Sequence, residues 1–310
     1  MSEESPASGA AEIDVSAWAV IRDEPGGRDQ NKRWIAESPD APREQHWLWK
    51  YRQTTGDGSE SALTDCAEVF TSRLATAIGL PAAECRFAVL EGELGLISRN
   101  VAPHGFSLYP GTTYLPEVEG YERRTAASST DGGRMRREQG YTLDAVEKVL
   151  EHVGPPPGID DLSGFAVFAG YLVLDALVAN GDRHPGNWAL LERQADGARF
   201  LAPTYDHGSA LGAGMTEANR RDKDPESFAR KGRANPFEPR RQLLVDLALD
   251  AVRRSGAGLW LERVAALDST TIRATLEAPP ARLSDVASTF IERVVLENQR
   301  RLCHDDVAED

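Results

Sequence analysis

Hydrophobic and polar positions in the first hundred residues follow patterns typical of strands and of one helix. Residues 46–52, HWLWKYR, have aromatic side chains at every second position, which is the period of a β-strand with one face in the core. Residues 63–80 carry apolar side chains at helical spacing, with Gly79 as the stop. Residues 86–100 predict two strands joined by a tight turn, and residues 15–35 predict strand-like pieces around a glycine-containing turn.

Most of the remaining chain has helical patterns. Residues 142–153 are amphipathic, whereas residues 163–180 are apolar on nearly every face, which predicts a buried central helix. Residues 103–140 are rich in Gly, Ser, Thr, Pro and charge, and we expect a partly disordered insert there, because loops of that length are uncommon in compact domains unless they are functional or mobile. Helical spacing returns in three later stretches, at 239–255, 258–267 and 285–303.

Together these patterns predict an α+β fold with two lobes. We expect a smaller, sheet-containing lobe over residues 15–102 and a mainly helical lobe over residues 103–310. The acidic start of the chain, residues 1–14, has neither strand nor helix periodicity, and we expect a disordered tail there.

Composition excludes several classes of function. The formal net charge is −14, which argues against direct binding to nucleic acid or to an anionic membrane, since either would gain from a basic face. No apolar run is long enough to span a bilayer. Three scattered cysteines form neither a metal spacing nor a disulfide framework, so we expect a protein of the reducing cytoplasm.

The strongest chemical signal follows the predicted buried helix directly. The polar stretch 180–191, NGDRHPGNWALL, contains Asp182 and, five residues later, Asn187; a second predicted strand then delivers Asp206 at its end. Asp and Asn in such a motif are often no more than turn residues. Placement between a buried helix and two strands, with a second Asp in order, favours catalysis instead.

Phosphoryl transfer needs few covalent roles and much placed charge. One carboxylate must accept or orient the proton of the attacking hydroxyl, and hard oxygen ligands must hold Mg²⁺ against the triphosphate of ATP. The sequence therefore predicts Asp182 as the base, with Asn187 and Asp206 as magnesium ligands.

A cation for the phosphates is predicted in the strand at 46–52. Lys50 lies on the face opposite the aromatic side chains, where it could either extend along an edge to solvent or point inward to a helix carboxylate. Glu68 on the following helix is one candidate partner, and Asp65, three residues earlier, is the other.

Upstream, the stretch PGGRDQNKR is flexible enough to fold over phosphates. Gly26 and Gly27 would allow a close backbone approach, and Lys32 would add charge. An ordinary hairpin turn is an equally good interpretation of these residues alone.

Three stretches, 67–100, 171–191 and 200–212, resemble the HipA-like kinases, bacterial relatives of the protein and phosphoinositide kinases. The family has an N-x-D-R-H-x-x-N loop followed by a strand with Y-D-x-x-S, and both motifs occur here in that order, at 180–187 and 205–209. The joint pattern is much more specific than either half.

The resemblance implies a bilobal protein-kinase-like fold and a role for each matching residue. Asp182 would be the catalytic aspartate, Asn187 and Asp206 the magnesium ligands, Lys50 the contact to the ATP phosphates and Glu68 its partner on the helix.

The same resemblance implies a nucleotide-binding N-terminal lobe. Residues 26–32 would cover the phosphates, and residues 98–101, including Ser98 and Asn100, would form the hinge that meets adenine. The chain departs from HipA toxins in two ways: we expect a compact form without their extra N-terminal subdomain, and the phosphate loop lacks their usual serine-containing pattern.

Three functions remain open at this point. The first is a serine/threonine protein kinase, and the second is a small-molecule kinase, because GDRHPGN is similar to the H-G-D-x-H-P-x-N loop of aminoglycoside phosphotransferases. The third is a pseudokinase that binds nucleotide and a partner without turnover. The acceptor is an unidentified protein or small molecule, because function depends on substrate-facing loops that the pattern does not decode.

Supporting roles are predicted for four further features. His184 and His207 flank the catalytic positions and could order the loop by hydrogen bonds, and Asp175, within the buried helix, requires a partner if it is fully buried. The polar and basic stretch 219–235 is either a substrate-binding segment or a solvated loop.

Overall fold

The computed structural model describes residues 11–21, 32–123 and 139–304. Its N-terminal part is a six-stranded sheet in the order β1-β5-β6-β4-β3-β2, in which β1 is parallel to β5 and the other neighbours are antiparallel. The strands are β1 (Ile13–Asp14), β2 (Ala19–Val20), β3 (Lys32–Ala36), β4 (Trp47–Tyr51), β5 (Cys85–Leu90) and β6 (Glu93–Arg99).

This sheet curls back on itself because its two edge strands are neighbours in sequence. Only residues 15–18 connect β1 to β2, although they lie at opposite ends of the strand order. The inside of the curl is an apolar cluster, as the alternation in residues 46–52 predicts; its buried members are Val15, Ile35, Trp47, Trp49, Ala88, Leu90 and Ile97.

The opposite face of the sheet carries the helix α1 (Thr64–Ala77). The strand register places Lys32 opposite Lys50, Lys50 opposite Leu96, and Leu96 opposite Phe87. Residues directly opposite one another in a sheet share a face, and Phe87 and Leu96 belong to the core cluster that contains α1. Lys50 therefore faces the helix rather than the aromatic cluster.

A second, three-stranded antiparallel sheet lies in the C-terminal part, in the order β7-β8-β9. It consists of β7 (Phe106–Pro110), β8 (Ala189–Arg193) and β9 (Arg199–Leu201). The first of these strands lies within residues 103–140, where no element was predicted. The predicted strand that should deliver Asp206 ends at Leu201, so Asp206 lies in the irregular chain that follows it.

The remaining α-helices of the described chain all lie in its C-terminal part. They are α2 (Leu143–Leu150), α3 (Gly164–Leu177), α4 (Glu217–Asp222), α5 (Pro225–Arg230), α6 (Leu244–Ser255), α7 (Leu259–Ala265), α8 (Ser269–Thr275) and α9 (Asp285–His304). Every residue of α3 is buried, and it packs against α6 and α9, which confirms the predicted central helix. Within the described ranges, no helix is both long and apolar enough to cross a bilayer.

The predictions for the disordered tail and for the polar stretch 219–235 are corrected. The tail predicted as disordered over residues 1–14 includes Ile13–Asp14, which form β1 beside β5, whereas residues 1–10 lie outside the described chain. Residues 124–138 of the insert predicted over 103–140 also lie outside it. The polar stretch 219–235 is not a plain loop, because it contains most of α4 and all of α5. The α+β class is confirmed.

Candidate active site

The loop that carries Asp182 is anchored to the end of α3 by a buried carboxylate. Asp175, fully buried in that helix, accepts bonds from Nε and Nη2 of Arg183, both at 2.7 Å, and from Nδ2 of Asn180 at 2.7 Å. The predicted need of Asp175 for a partner is thus confirmed. Burial opposes the charge of Arg183, but the Asp175 carboxylate outweighs it and raises the pKa of the guanidinium.

Arg183 also joins the two ends of the loop, a role that the sequence motif did not reveal. Its Nη1 donates to the carbonyl oxygen of Asn187 at 2.6 Å, while its own carbonyl oxygen accepts from the hydroxyl of Tyr141 at 3.0 Å. The indole nitrogen of Trp188 donates to the same hydroxyl oxygen at 3.0 Å. These bonds involve buried groups, so together they hold the loop in one defined shape.

The loop orients the side chain of Asn187 so that only its oxygen remains available to bind a cation. Its Nδ2 donates to the carbonyl oxygen of Asp182 at 2.8 Å, which also accepts from the backbone nitrogen of His184 at 2.8 Å. Because the amide nitrogen of Asn187 is used in that bond, its Oδ1 is the atom left for a cation. The Asp182 carboxylate accepts a bond from the hydroxyl of Ser209 at 3.3 Å.

Lys50 connects the sheet, α1 and the segment that contains Asp206. Its Nζ lies 2.5 Å from Oε1 of Glu68 and 3.0 Å from Oδ1 of Asp206. Burial disfavours the lysine charge, yet the two carboxylates outweigh burial and raise the pKa of Lys50. The same ammonium group holds the pKa of Asp206 well below its ordinary value. The structure thus favours the inward orientation of Lys50 over an edge position.

The partner of Lys50, left open by the sequence, is Glu68 and not Asp65. Asp65 instead accepts bonds from Nε of Arg52 at 2.9 Å and from Nη1 of Arg282 at 2.6 Å. Both carboxylates lie on α1, and only three-dimensional placement separates their partners.

The residues around Lys50 line one cavity of about 150 Å³. That volume is below the roughly 300 Å³ of the smallest typical small-molecule sites. Among its lining residues are Lys32, Lys50, Glu68, Asp182, His184, Asn187, Asp206 and Ser209. The structure therefore brings together six of the predicted site residues.

Other predicted site residues are not brought there. Ser98 is buried in β6, with its Oγ 3.6 Å from the Sγ of Cys85, and the side-chain oxygen of Asn100 accepts from the backbone nitrogen of Ala102 at 2.9 Å. Neither Ser98 nor Asn100 lines the cavity. Gly26 and Gly27 lie outside the described residues.

Both predicted histidines form local hydrogen bonds. Nδ1 of His184 accepts from the backbone nitrogen of Gly186 at 3.0 Å, and Nε2 of His207 lies 2.9 Å from the hydroxyl of Thr204. Burial lowers the pKa of His207 well below its ordinary value, so this ring is neutral. Their geometry fits the ordering role that the sequence predicted.

The ligand set of the cavity suits magnesium better than zinc. In residues 11–21, 32–123 and 139–304, no three His, Cys, Asp or Glu side chains are grouped closely enough to hold a metal. Asn187 and Asp206 offer hard oxygen donors, and two such protein ligands are typical of Mg²⁺, which takes its other ligands from phosphates and water. The residues present fit that ion.

Comparison with solved structures gives the fold. The structure is similar to that of the Helicobacter pylori proinflammatory kinase CtkA, with a TM-score of 0.63 and 16% identity over 95% of this chain and 98% of that one. HipA of Shewanella oneidensis MR-1, solved with HipB and operator DNA, is similar with a TM-score of 0.49 and 12% identity over 84% of this chain and 61% of that one. The Golgi casein kinase is similar with a TM-score of 0.49 and 12% identity over 94% of this chain and 72% of that one. A search of curated protein sequences finds no match.

At these identities the likeness to CtkA shows a protein-kinase-like fold and nothing of the substrate. The sequence itself matches a family model, the HipA-like C-terminal domain, over residues 25–255, well over half of the 310 residues. That stretch includes the strand of Lys50, the helix of Glu68 and the segments of Asp182 and Asp206. The chain therefore belongs to the HipA-like C-terminal domain family.

Proposed function

We propose that the protein is an ATP- and magnesium-dependent phosphotransferase that moves the γ-phosphate of ATP to a serine or threonine hydroxyl of a protein. The observation that carries this proposal is Lys50, whose ammonium group contacts both Glu68 and Asp206 in a cavity that Asp182 and Asn187 also line. This is the set of charges that phosphoryl transfer needs: a cation, metal ligands and a carboxylate for the acceptor.

A pair of opposed lysines supports an anionic ligand. Lys32 and Lys50 are directly opposite in neighbouring strands, and both line the cavity. Like charges in that position are unfavourable unless anions offset them; Glu68 and Asp206 supply two negative charges in the cavity, and the phosphates of ATP would supply more. Lys50 would bind the phosphates while Glu68 keeps its ammonium group in place.

The metal ligands and the acceptor residue would act side by side. Asn187 and Asp206 would hold magnesium, which when bound would neutralise charge on the phosphates. Asp182 would accept the proton of the attacking hydroxyl at its carboxylate, whose Oδ2 accepts a hydrogen bond from the hydroxyl of Ser209 at 3.3 Å.

We also propose that the two lobes have the separate roles that the sequence predicts. Residues 15–102, extended by β1, would bind nucleotide, and residues 103–310 would hold the catalytic loop and the substrate region. We further propose a cytoplasmic protein, which the free cysteines Cys66, Cys85 and Cys303 support.

The proposal is tested with γ-labelled ATP, magnesium and a cell lysate. We expect label in the protein fraction, and we expect Asp182→Ala to reduce transfer by about 10²–10⁴-fold, the usual contribution of an acid–base group, while magnesium–ATP affinity stays within a few-fold. Asp160→Ala, at an exposed position outside the cavity, is the matched control.

Each other outcome corrects a different part of the proposal. Label in small molecules would favour the small-molecule kinase, which the GDRHPGN motif also resembles. Magnesium-dependent ATP binding without any transfer would indicate a pseudokinase. Transfer by Asp182→Ala at the wild-type rate, with an unchanged melting temperature, would contradict the role of this loop.

A further inference from the structure

The C-terminal part of the chain reaches into the N-terminal sheet through one arginine. Arg282 lies between α8 and α9, and its side chain is 0% exposed. Its Nε donates to Glu12 at 2.6 Å and its Nη1 to Asp65 at 2.6 Å. The guanidinium also donates to the carbonyl oxygens of Gly95 at 2.8 Å and Ala88 at 2.6 Å. Nearly all its donors are thus used within the N-terminal part.

Asp65 on α1 is held by two arginines at once. Nε of Arg52 donates to it at 2.9 Å, and Nη2 of Arg52 donates to the carbonyl oxygen of Arg282 at 2.5 Å. With Glu12 included, the cluster has two positive and two negative groups. Buried charges are tolerated only when they are paired and hydrogen-bonded in this way, so the cluster specifies one relative position of α1 and the segment of Arg282.

The same helix is bound by the C-terminal region along its whole length. Nη1 of Arg73, in the C-terminal half of α1, donates to the carbonyl oxygens of Thr275 at 3.3 Å and Glu277 at 2.6 Å. Nη1 of Arg263, in α7, donates to the carbonyl oxygens of residues 78–79, just past the end of α1, both at 3.2 Å. The helix is therefore held at its start, in its C-terminal half and just past its end.

We propose that Arg282 is a positioning residue for the phosphotransfer reaction: its bond to Asp65 fixes the turn of α1 that presents Glu68 to Lys50. Asp65 and Glu68 are three residues apart and so lie on adjacent turns of one helix face. The inference rests on the proposed function. Arg282 lies beyond residues 25–255, the part of the chain that the family model matches.

The position of α1 matters because the ion pair between Lys50 and Glu68 depends on a short distance. Nζ of Lys50 and Oε1 of Glu68 are 2.5 Å apart, so a shift of α1 by about 1 Å would stretch this contact to the limit of a hydrogen bond, and displacements of that size are costly in catalytic geometry. The apolar face of α1 packs against the sheet, whereas the polar cluster at Asp65 holds the first turn of the helix, next to Glu68.

The main test variant is Arg282→Met, which keeps the length of the side chain and removes its donors. Arg52 still pairs with Asp65 in this variant, so no buried carboxylate on α1 is left alone. We expect kcat to fall by at least tenfold, with the KM for the acceptor within twofold. Arg301→Met is the control, because Arg301 is buried in α9 and bonds to the carbonyl oxygen of Ala229 instead of to α1.

A double-variant comparison separates positioning from general stability. In Glu68→Gln the group that Arg282 would position is already impaired, so adding Arg282→Met should reduce kcat by less than a further twofold. A purely structural role predicts the same reduction in both backgrounds. Equal losses, or a kcat of Arg282→Met within twofold of wild type, would overturn the proposal.

Hydrogen exchange provides a readout that does not need turnover. In Arg282→Met, amides of α1 near Glu68 should exchange at least tenfold faster than in wild type, while those of α3 keep their protection; Arg301→Met should not show this pattern. Unchanged exchange in α1 contradicts positioning by Arg282 whatever the activity. Faster exchange in a protein that transfers no phosphate would instead contradict the proposed function alone.

Discussion

At the scale of single residues, the candidate site consists of charges that compensate one another. Lys50 is buried between two carboxylates from distant parts of the chain, Glu68 and Asp206. Asp206 has a φ of +62°, a backbone conformation that is uncommon for residues other than glycine. Such conformations cost free energy and cluster at functional sites, so the position of the Asp206 carboxylate is maintained at the expense of local stability.

Replacing Asp206 by Asn should weaken magnesium–ATP binding by roughly tenfold or more, a change of about 1.4 kcal/mol per factor of ten. The variant loses one full negative charge where the cation would bind. Calorimetry with magnesium and with EDTA measures the difference, and Asp160→Asn is the control at an exposed position. Equal affinities for Asp206→Asn and wild type, in both conditions, would remove Asp206 from the metal site.

At the scale of elements, α3 and the catalytic loop behave as one unit. The helix is buried on every face, and Asp175 near its end forms two hydrogen bonds with Arg183 of the loop. The motif N-x-D-R-H-x-x-N thus contains two kinds of residue. Asp182 and Asn187 line the cavity, whereas Arg183 stabilises the loop through a hydrogen bond to the carbonyl oxygen of Asn187.

Asp175→Asn should destabilise the protein by about 3–5 kcal/mol, because removing one partner of a buried ion pair leaves an uncompensated charge on Arg183. Urea unfolding monitored by fluorescence measures this loss. Asp144→Asn is the matched control: its partner Arg254 is at the surface, and exposed pairs contribute only about 0–1 kcal/mol. Equal effects of the two substitutions would show that burial of the Asp175 pair has no special energetic role.

Gly170→Ala tests how tightly α3 is packed. Alanine is favoured over glycine in a helix by about 1 kcal/mol, but a Cβ at this position would lie 2.6 Å from Cδ1 of Leu80 and 2.8 Å from Cε2 of Trp260. Overpacking costs about 1–3 kcal/mol, so we expect net destabilisation in thermal unfolding. Gly214→Ala, where nothing lies within 4 Å, should leave the melting temperature nearly unchanged. If Gly170→Ala has a higher melting temperature than wild type, the side chains of Leu80 and Trp260 move enough to accommodate the added Cβ.

At the scale of the whole molecule, one apolar core joins the helix of the N-terminal part to the helices of the C-terminal part. The cluster that contains Phe70 and Leu74 of α1 also contains residues of α3 and α9. The cavity is lined by Lys50 from the sheet and by Asp182 and Asp206 from the C-terminal part. A ligand bound there would therefore connect elements that are far apart in sequence.

Magnesium–ATP should raise the melting temperature of the whole chain in a single transition. A ligand present at 100 times its dissociation constant stabilises the folded state by about 2.7 kcal/mol. Scanning calorimetry with ATP plus magnesium, with ATP plus EDTA and with magnesium alone measures the effect. We expect a clear shift only in the first condition, and the same shift with EDTA present would contradict a magnesium-dependent site.

Local patterns predicted those elements whose neighbours along the chain decide their structure. The two-residue period of 46–52 and the apolar faces of α1 and α3 reflect burial that any compact fold must satisfy. β7 was missed because it is held by pairing with β8, some eighty residues later in the chain, and not by an alternation of its own. The strand predicted to carry Asp206 was extended too far for a similar reason, since pairing with β8 stops at Leu201.

Sequence patterns were sufficient to predict the α+β class, the buried helix, the spacing of Asp182, Asn187 and Asp206, and the family to which the chain belongs. These depend on periodicity and on short motifs, which are local properties. The three-dimensional fold was needed to show that Lys50 pairs with Glu68 and that Asp65 pairs with Arg52 and Arg282. Such choices depend on contacts between residues up to 217 positions apart, and two carboxylates on one helix face are equivalent until the fold brings a different cation to each.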